Sequence, residues 1–179
     1  MLSFDFVATF FSIIFGIALT HIMSAAGALF HQKSRDVVRF TYGAFLSLTI
    51  ILNWWVAFAW RDFADWTFDK FLVLVLWTMS FFGAAIALFP PGEQAASDSD
   101  RPVRNFLKLF LVLLALDTAA TAMRTGLFSP WYYLIFVGHY ALLAVLALVI
   151  RNRPFQLGAS FWFLGSLLLW SLVVRRLLV

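Results

Sequence analysis

Residues 67–89 read "TFDKFLVLVLWTMSFFGAAIALF" and run straight into Pro90-Pro91-Gly92. No charged residue occurs from Phe71 to Phe89. A helix rises 1.5 Å per residue, so roughly 20 mostly apolar residues cross the hydrocarbon core of a bilayer. The run is long and continuously apolar, unlike the alternating ten-residue strands of a membrane barrel. The Pro-Pro-Gly that follows is a helix stop. This stretch predicts a transmembrane helix.

Outward from it, five more segments meet the same test: 5–29, 38–60, 103–124, 131–150 and 157–177. Pro130 opens the fifth span, and Pro154 is read as separating the fifth from the sixth. The expected fold is therefore an all-α integral membrane protein, a six-transmembrane-helix bundle. Composition agrees. Of 179 residues, 63% are hydrophobic and 12% charged, with mean hydropathy +0.91. Soluble domains are about one quarter charged, and a globule of this size must still face water. The polar loop "PPGEQAASDSDRP" (90–102) divides the chain into two groups of three spans. It is too short to be a domain, so residues 1–179 are read as one unit.

The thirteen Lys and Arg and the net charge of +4 invite a nucleic-acid reading. They stand singly or in pairs between apolar runs, however, without the basic, aromatic-interleaved stripe that tracks phosphates. No nucleic-acid partner is expected; the partner is the lipid bilayer. With the N-terminus outside, inner connections carry Lys33, Arg35, Arg39, Arg101, Arg104, Lys108, Arg151 and Arg153. The outer side carries Arg61, Lys70, Arg124, Arg175 and Arg176. The positive-inside rule then places both termini outside. Trp60, Trp66, Trp131, Tyr132 and Tyr133 fall at span ends on that same side, as an interfacial aromatic belt would. The N-terminal run lacks a basic n-region and a cleavage site, so it is read as a retained first helix.

The first span carries Ala8, Ser12, Gly16, Thr20, Ser24 and Ala28 at strict four-residue spacing. Small side chains let helix backbones approach closely in lipid. The expectation is a tight contact, first within this chain and alternatively with a second copy or a larger membrane complex. The sixth span, "FWFLGSLLLWSLVV" (161–174), is bulky all round and suits lipid or a broad docking surface. "ALTHIMSAAGALF" (18–30) also aligns with "ALDTAATAMRTGLF" (115–128) with one gap, but the other span pairs offer no support for an inverted repeat.

The fourth span contains the one acidic residue deep in an apolar run, Asp117. It lies seven residues, about 10 Å, below Arg124 at the outer end. His139 lies eight residues below Trp131, about 12 Å, and Asn53 seven below Trp60. Asp117, Thr121 and Arg124 share one helix face. An aspartate near a helix centre costs about 2.5–3.5 kcal/mol to insert, so it should face the interior and find a partner. The expected partner is His139, with Thr121 and Asn53 as hydrogen-bonding neighbours. Such a layer can relay protons, or it can simply fasten helices together. His21, deeper and on the first span, is expected to bond near Ser24 or Ser80. Trp54 and Trp55 could line a cavity, although core packing is their commoner fate.

Other chemistry is missing from the pattern. His21 and His139 differ by about 12 Å in depth, which is poor for bis-histidine haem ligation. No metal, cofactor or catalytic residue is expected: the zincin, phosphate-loop, EF-hand and serine-hydrolase signatures do not occur. With no cysteine in the chain, disulfides and thiolate sites are excluded.

"IFGIALTHIMS" (14–24), "NWWVAFAWRDFADWTFDKFL" (53–72) and "GAAIALFPPGE" (83–93) together resemble small polytopic bacterial inner-membrane proteins without an assigned activity. The resemblance covers about the first half of the chain. It implies a bacterial plasma membrane, with the termini then periplasmic, and carries over no functional residue. The expected function is movement of a proton or small solute through the Asp117 layer; the alternative is a non-catalytic accessory or scaffold subunit.

Overall fold

The computed structural model describes residues 4–30, 36–63, 66–91, 100–126 and 130–174. Six helices are long and apolar enough to cross a membrane. They are α1 (Phe4–Phe30), α2 (Val37–Ala57), α3 (Phe68–Leu88), α4 (Arg101–Thr125), α5 (Trp131–Val149) and α6 (Arg153–Leu169). A 3-10 turn, Phe58–Trp60, extends α2, and a π turn, Trp170–Val174, extends α6. The chain is a multi-pass, all-α membrane bundle. His31, Lys33, Arg35, Asp65, Arg175, Arg176 and most of the 90–102 loop lie outside the described residues.

Helix ends follow local chemistry. The Asp36 carboxylate caps α2 by accepting the Arg39 N–H at 3.2 Å, and the Asn152 side chain caps α6 by accepting the Phe155 N–H at 3.0 Å. Gly126, at φ +85°, ends α4 in a conformation that only glycine adopts freely. Pro154 does not separate two spans, as its sequence position suggested. It sits in the first turn of α6, where its missing N–H has no carbonyl to reach anyway, so the helix starts at Arg153.

Within lipid, the last carbonyls of a helix need donors as much as the first N–H groups need acceptors. Neighbouring helices supply them. Arg39 Nε and Nη2 donate to Leu88 O at 3.2 and 3.0 Å, and His21 Nε2 donates to Phe89 O at 2.8 Å. Gln156 Nε2 donates to both Ala147 O and Ile150 O at 2.7 Å, closing α5. His21 therefore serves the end of α3; the expected serine partners are not used, because an orphan carbonyl is the stronger acceptor within reach.

Two aromatic clusters hold the bundle. Phe11 and Phe15 of α1 pack edge-on against Trp77 of α3, at 5.7 and 5.9 Å between ring centres. Phe45 of α2 packs against Phe110 of α4, Tyr140 of α5 and Phe163 of α6, at 5.4, 5.7 and 5.1 Å. α3 and α4, which flank the polar loop, make the most extensive helix pair, while α2 bridges α1, α3 and α6.

The small-residue face of α1 is not the one that packs inside. The buried stripe is Val7, Phe11, Phe15, Ala18 and Ile22. Ala8, Ser12 and Gly16 are half-buried, and Thr20, Ser24 and Ala28 are exposed. A Cβ added at Gly16 would meet nothing within 4 Å. Large side chains win the interior here because interlocking rings make more dispersion contacts than close backbones do.

Candidate functional site

Asp117 sits in α4 facing α3 and α5, and each neighbour supplies a donor. Trp77 Nε1 donates to Oδ1 at 3.0 Å, and the Tyr133 hydroxyl donates to Oδ2 at 2.6 Å. The second distance is that of an O–H bonded to a carboxylate. Thr118, next along α4, bonds its own helix, donating to Leu114 O at 2.8 Å. Trp77 belongs to the α1–α3 aromatic cluster, so its indole joins that cluster to the acidic group.

His139 is not the partner. Its Nε2 accepts from Trp162 Nε1 at 2.7 Å, across the outer groove between α5 and α6. Trp162 is 58% exposed, so this pair faces the bundle surface. Asp117 and His139 match in depth but not in direction around the helix. Tyr133 and His139 are six residues apart, about 120° around the helix axis, so turning the first toward Asp117 turns the second away.

The carboxylate lies against a cavity of about 840 Å³ between α2, α4, α5 and the π turn after α6, with Trp77 of α3 on its wall. Phe45, Phe110 and Tyr140 form its floor. Ten of its lining side chains are aromatic, and Asp117 and Arg124 are the charged ones among the described residues. Asn53 and Thr121 line the same space. Asn53 does not bond Asp117, because its Nδ2 donates to Thr49 O of its own helix at 2.9 Å. The Arg124 guanidinium stands 6.0 Å over the Trp60 ring, two turns from Asp117 on the shared face of α4. Trp60 itself is buried among Phe63 and Trp66 and does not serve as an exposed belt residue. Trp55 is 69% exposed on the cavity rim, and Trp54 is exposed as well, so neither enters the core.

The sequence pattern puts Asp117, Thr121 and Arg124 on one helix face with Asn53 at similar depth; that the four line one cavity is not legible there, and Trp77 and Tyr133 are missed as partners of the carboxylate. A usable signal existed: buried indole N–H and phenol O–H groups need acceptors. Trp77 lies nine residues from the start of α3, and Asp117 eight from the end of α4, which is the same depth in antiparallel neighbours. No cluster of His, Asp or Glu that could hold a metal occurs among the described residues.

Chemically, the site is one carboxylate oriented by two fixed donors at the side of an aromatic chamber, with a guanidinium at the end nearer the aqueous interface. Comparison with known proteins gave no match to a family model, a curated protein or a solved structure.

Proposed function

We propose that the protein carries a proton-linked small solute across a bacterial plasma membrane, with Asp117 as the group that takes up and releases the proton. One observation supports the reading: an intramembrane carboxylate, held at both oxygens by Trp77 and Tyr133, borders a cavity large enough for a small molecule. A carboxylate needed only as fastening has no use for such a space beside it. The positive-inside pattern supports an orientation with both termini periplasmic, so that the cavity and Arg124 lie toward the outer side.

The test is reconstitution into liposomes with a pH gradient and an internal pH dye. Wild type is expected to dissipate the gradient, Asp117→Asn to lose that flux, and His139→Leu to keep it. A wild-type protein that carries no pH-dependent flux with any added solute ends this reading, as does an Asp117→Asn variant as active as wild type.

A second reading is supported by the outward small-residue face of α1. There Ala8 and Ser12 border a shallow groove reaching Phe4 and Phe58. Small-xxx-small faces seat a second helix in lipid, so the chain would be an accessory subunit or a homo-oligomer. Extraction in mild detergent followed by mass measurement separates the cases. A monodisperse monomer with no co-purifying chain removes this reading.

A further inference from the structure

We infer that the cavity takes an amphipathic organic cation, which competes with a proton for the Asp117 carboxylate. The inference rests on reading this cavity as the working site and adds the class of its ligand.

The first argument is a count of donors and acceptors. Most lining hydroxyls and one amide hydrogen are spent internally: Thr49 on Phe45 O, Asn53 on Thr49 O, Tyr133 on Asp117, Tyr140 on Ser166 or Phe163 O, and Ser171 on Leu168 O. At Asp117 itself, what remains open is acceptor capacity. A carboxylate offers about four lone-pair sites, of which Trp77 and Tyr133 occupy one on each oxygen. The lining donors besides these are the Arg124 guanidinium, the Thr121 and Tyr132 hydroxyls and the indoles of Trp55, Trp60 and Trp170, and none of them replaces the two lone-pair sites left on Asp117. A ligand reaching Asp117 must therefore bring a donor or a positive charge.

The second argument is the wall. Aromatic faces carry the negative lobe of the ring quadrupole and attract cations, more strongly once water is excluded. The chamber already demonstrates this on itself, because Arg124 rests over Trp60. The third argument is access. Ile51 and Trp55 on α2 and Leu172 beyond α6 form an apolar rim, 52%, 69% and 67% exposed. A ligand entering past these side chains comes from the lipid and needs an apolar body. The volume of about 840 Å³ suits a drug-sized molecule.

The exchange balances simply. Protonated Asp117 gives up its proton, the carboxylate pairs with one monovalent cation, and the charge within the membrane is unchanged. Around that carboxyl, α5 contributes Tyr133, α4 itself contributes Arg124, and α3 and α2 contribute Trp77 and Asn53, which do not titrate. Tyr132 and Tyr140 line the same chamber. Raising the pH removes the competitor, so cation affinity rises with pH, by up to about tenfold per unit where the proton holds the site.

The experiment measures equilibrium binding to the purified full chain in detergent. The probes are tetraphenylphosphonium and its near-isosteric anion tetraphenylborate. The expected result is saturable tetraphenylphosphonium binding that weakens as pH falls, with tetraphenylborate at least about tenfold weaker. Asp117→Asn should lower cation affinity about tenfold or more and flatten its pH dependence. Arg124→Gln, which removes a positive charge roughly 10 Å from Asp117 along α4, should raise it about tenfold at a pH high enough to keep Asp117 ionised. Should Asp117→Asn fail to fold, Arg124→Gln decides alone, tightening in support and weakening against. Preference for tetraphenylborate, or cation binding indifferent to Asp117→Asn, overturns the inference. Proton flux without tetraphenylphosphonium binding also overturns it while leaving the proton-linked reading intact; binding without flux does the reverse.

Discussion

Arg39→Met is expected to lower the unfolding free energy by about 3 kcal/mol, read from reversible titration with sodium dodecyl sulfate. Arg39 is 6% exposed, and its two donors meet the Leu88 carbonyl at the end of α3. Losing them leaves a buried acceptor unmet, about 1–3 kcal/mol, and removes a cation from a helix C-terminus, about 0.3–2 kcal/mol. His21 cannot substitute, because it already serves Phe89 O. The guanidinium also stands 5.7 Å over the Phe89 ring. That ring lies 2.9 Å from where a Cβ at position 43 would be, so Gly43 permits the close approach. Arg39→Lys keeps the charge without the planar fork and should cost about half as much. The sign makes the test decisive. Insertion alone still favours Met, although Arg39 lies in the first turn of α2, where the penalty is smaller than the about 2.5–3.5 kcal/mol of a helix centre. A variant as stable as wild type would show that the cap contributes nothing.

Arg39 also shows where a sequence stops being readable. Its position next to an apolar run marks it as a loop charge on the inner side, and nothing local says that it turns inward to cap another helix 49 residues away. The spans themselves were legible because length and hydropathy are properties of a single segment: 67–89 became Phe68–Leu88, and 131–150 became Trp131–Val149. The ends were harder, as Pro154 illustrates, because proline both ends and begins helices. For the site, the depth of Asp117 followed from the helical rise, and its shared face with Thr121 and Arg124 from the helical period. Its partner required the rotation of α5 and the pairing of α3 with α4, which depend on how the whole bundle packs. The two donors the carboxylate actually uses, an indole and a phenol, sit in the sequence as ordinary apolar-span aromatics and do not stand out as polar groups.

The floor of the cavity carries the second large effect. Phe45→Ala should cost about 3 kcal/mol, at the lower end for a buried phenylalanine. In water much of that loss would be hydrophobic transfer, but lipid tails are as apolar as the side chain, so here it comes from packing. Phe45 is 1% exposed and meets rings from three other helices, Phe110, Tyr140 and Phe163. Truncation removes three ring contacts of about 0.5–1.5 kcal/mol each and leaves a void that rigid helices close only in part. Because Phe45 also lines the cavity, the void opens into it and deepens the chamber. Trp55→Ala is the matched comparison: a larger ring on the same helix and in the same lining, but 69% exposed on the rim. It should cost no more than about 0.5 kcal/mol. Equal losses at the two positions would mean that ring size rather than interlocking sets stability here, and the aromatic floor would lose its role in shaping the site.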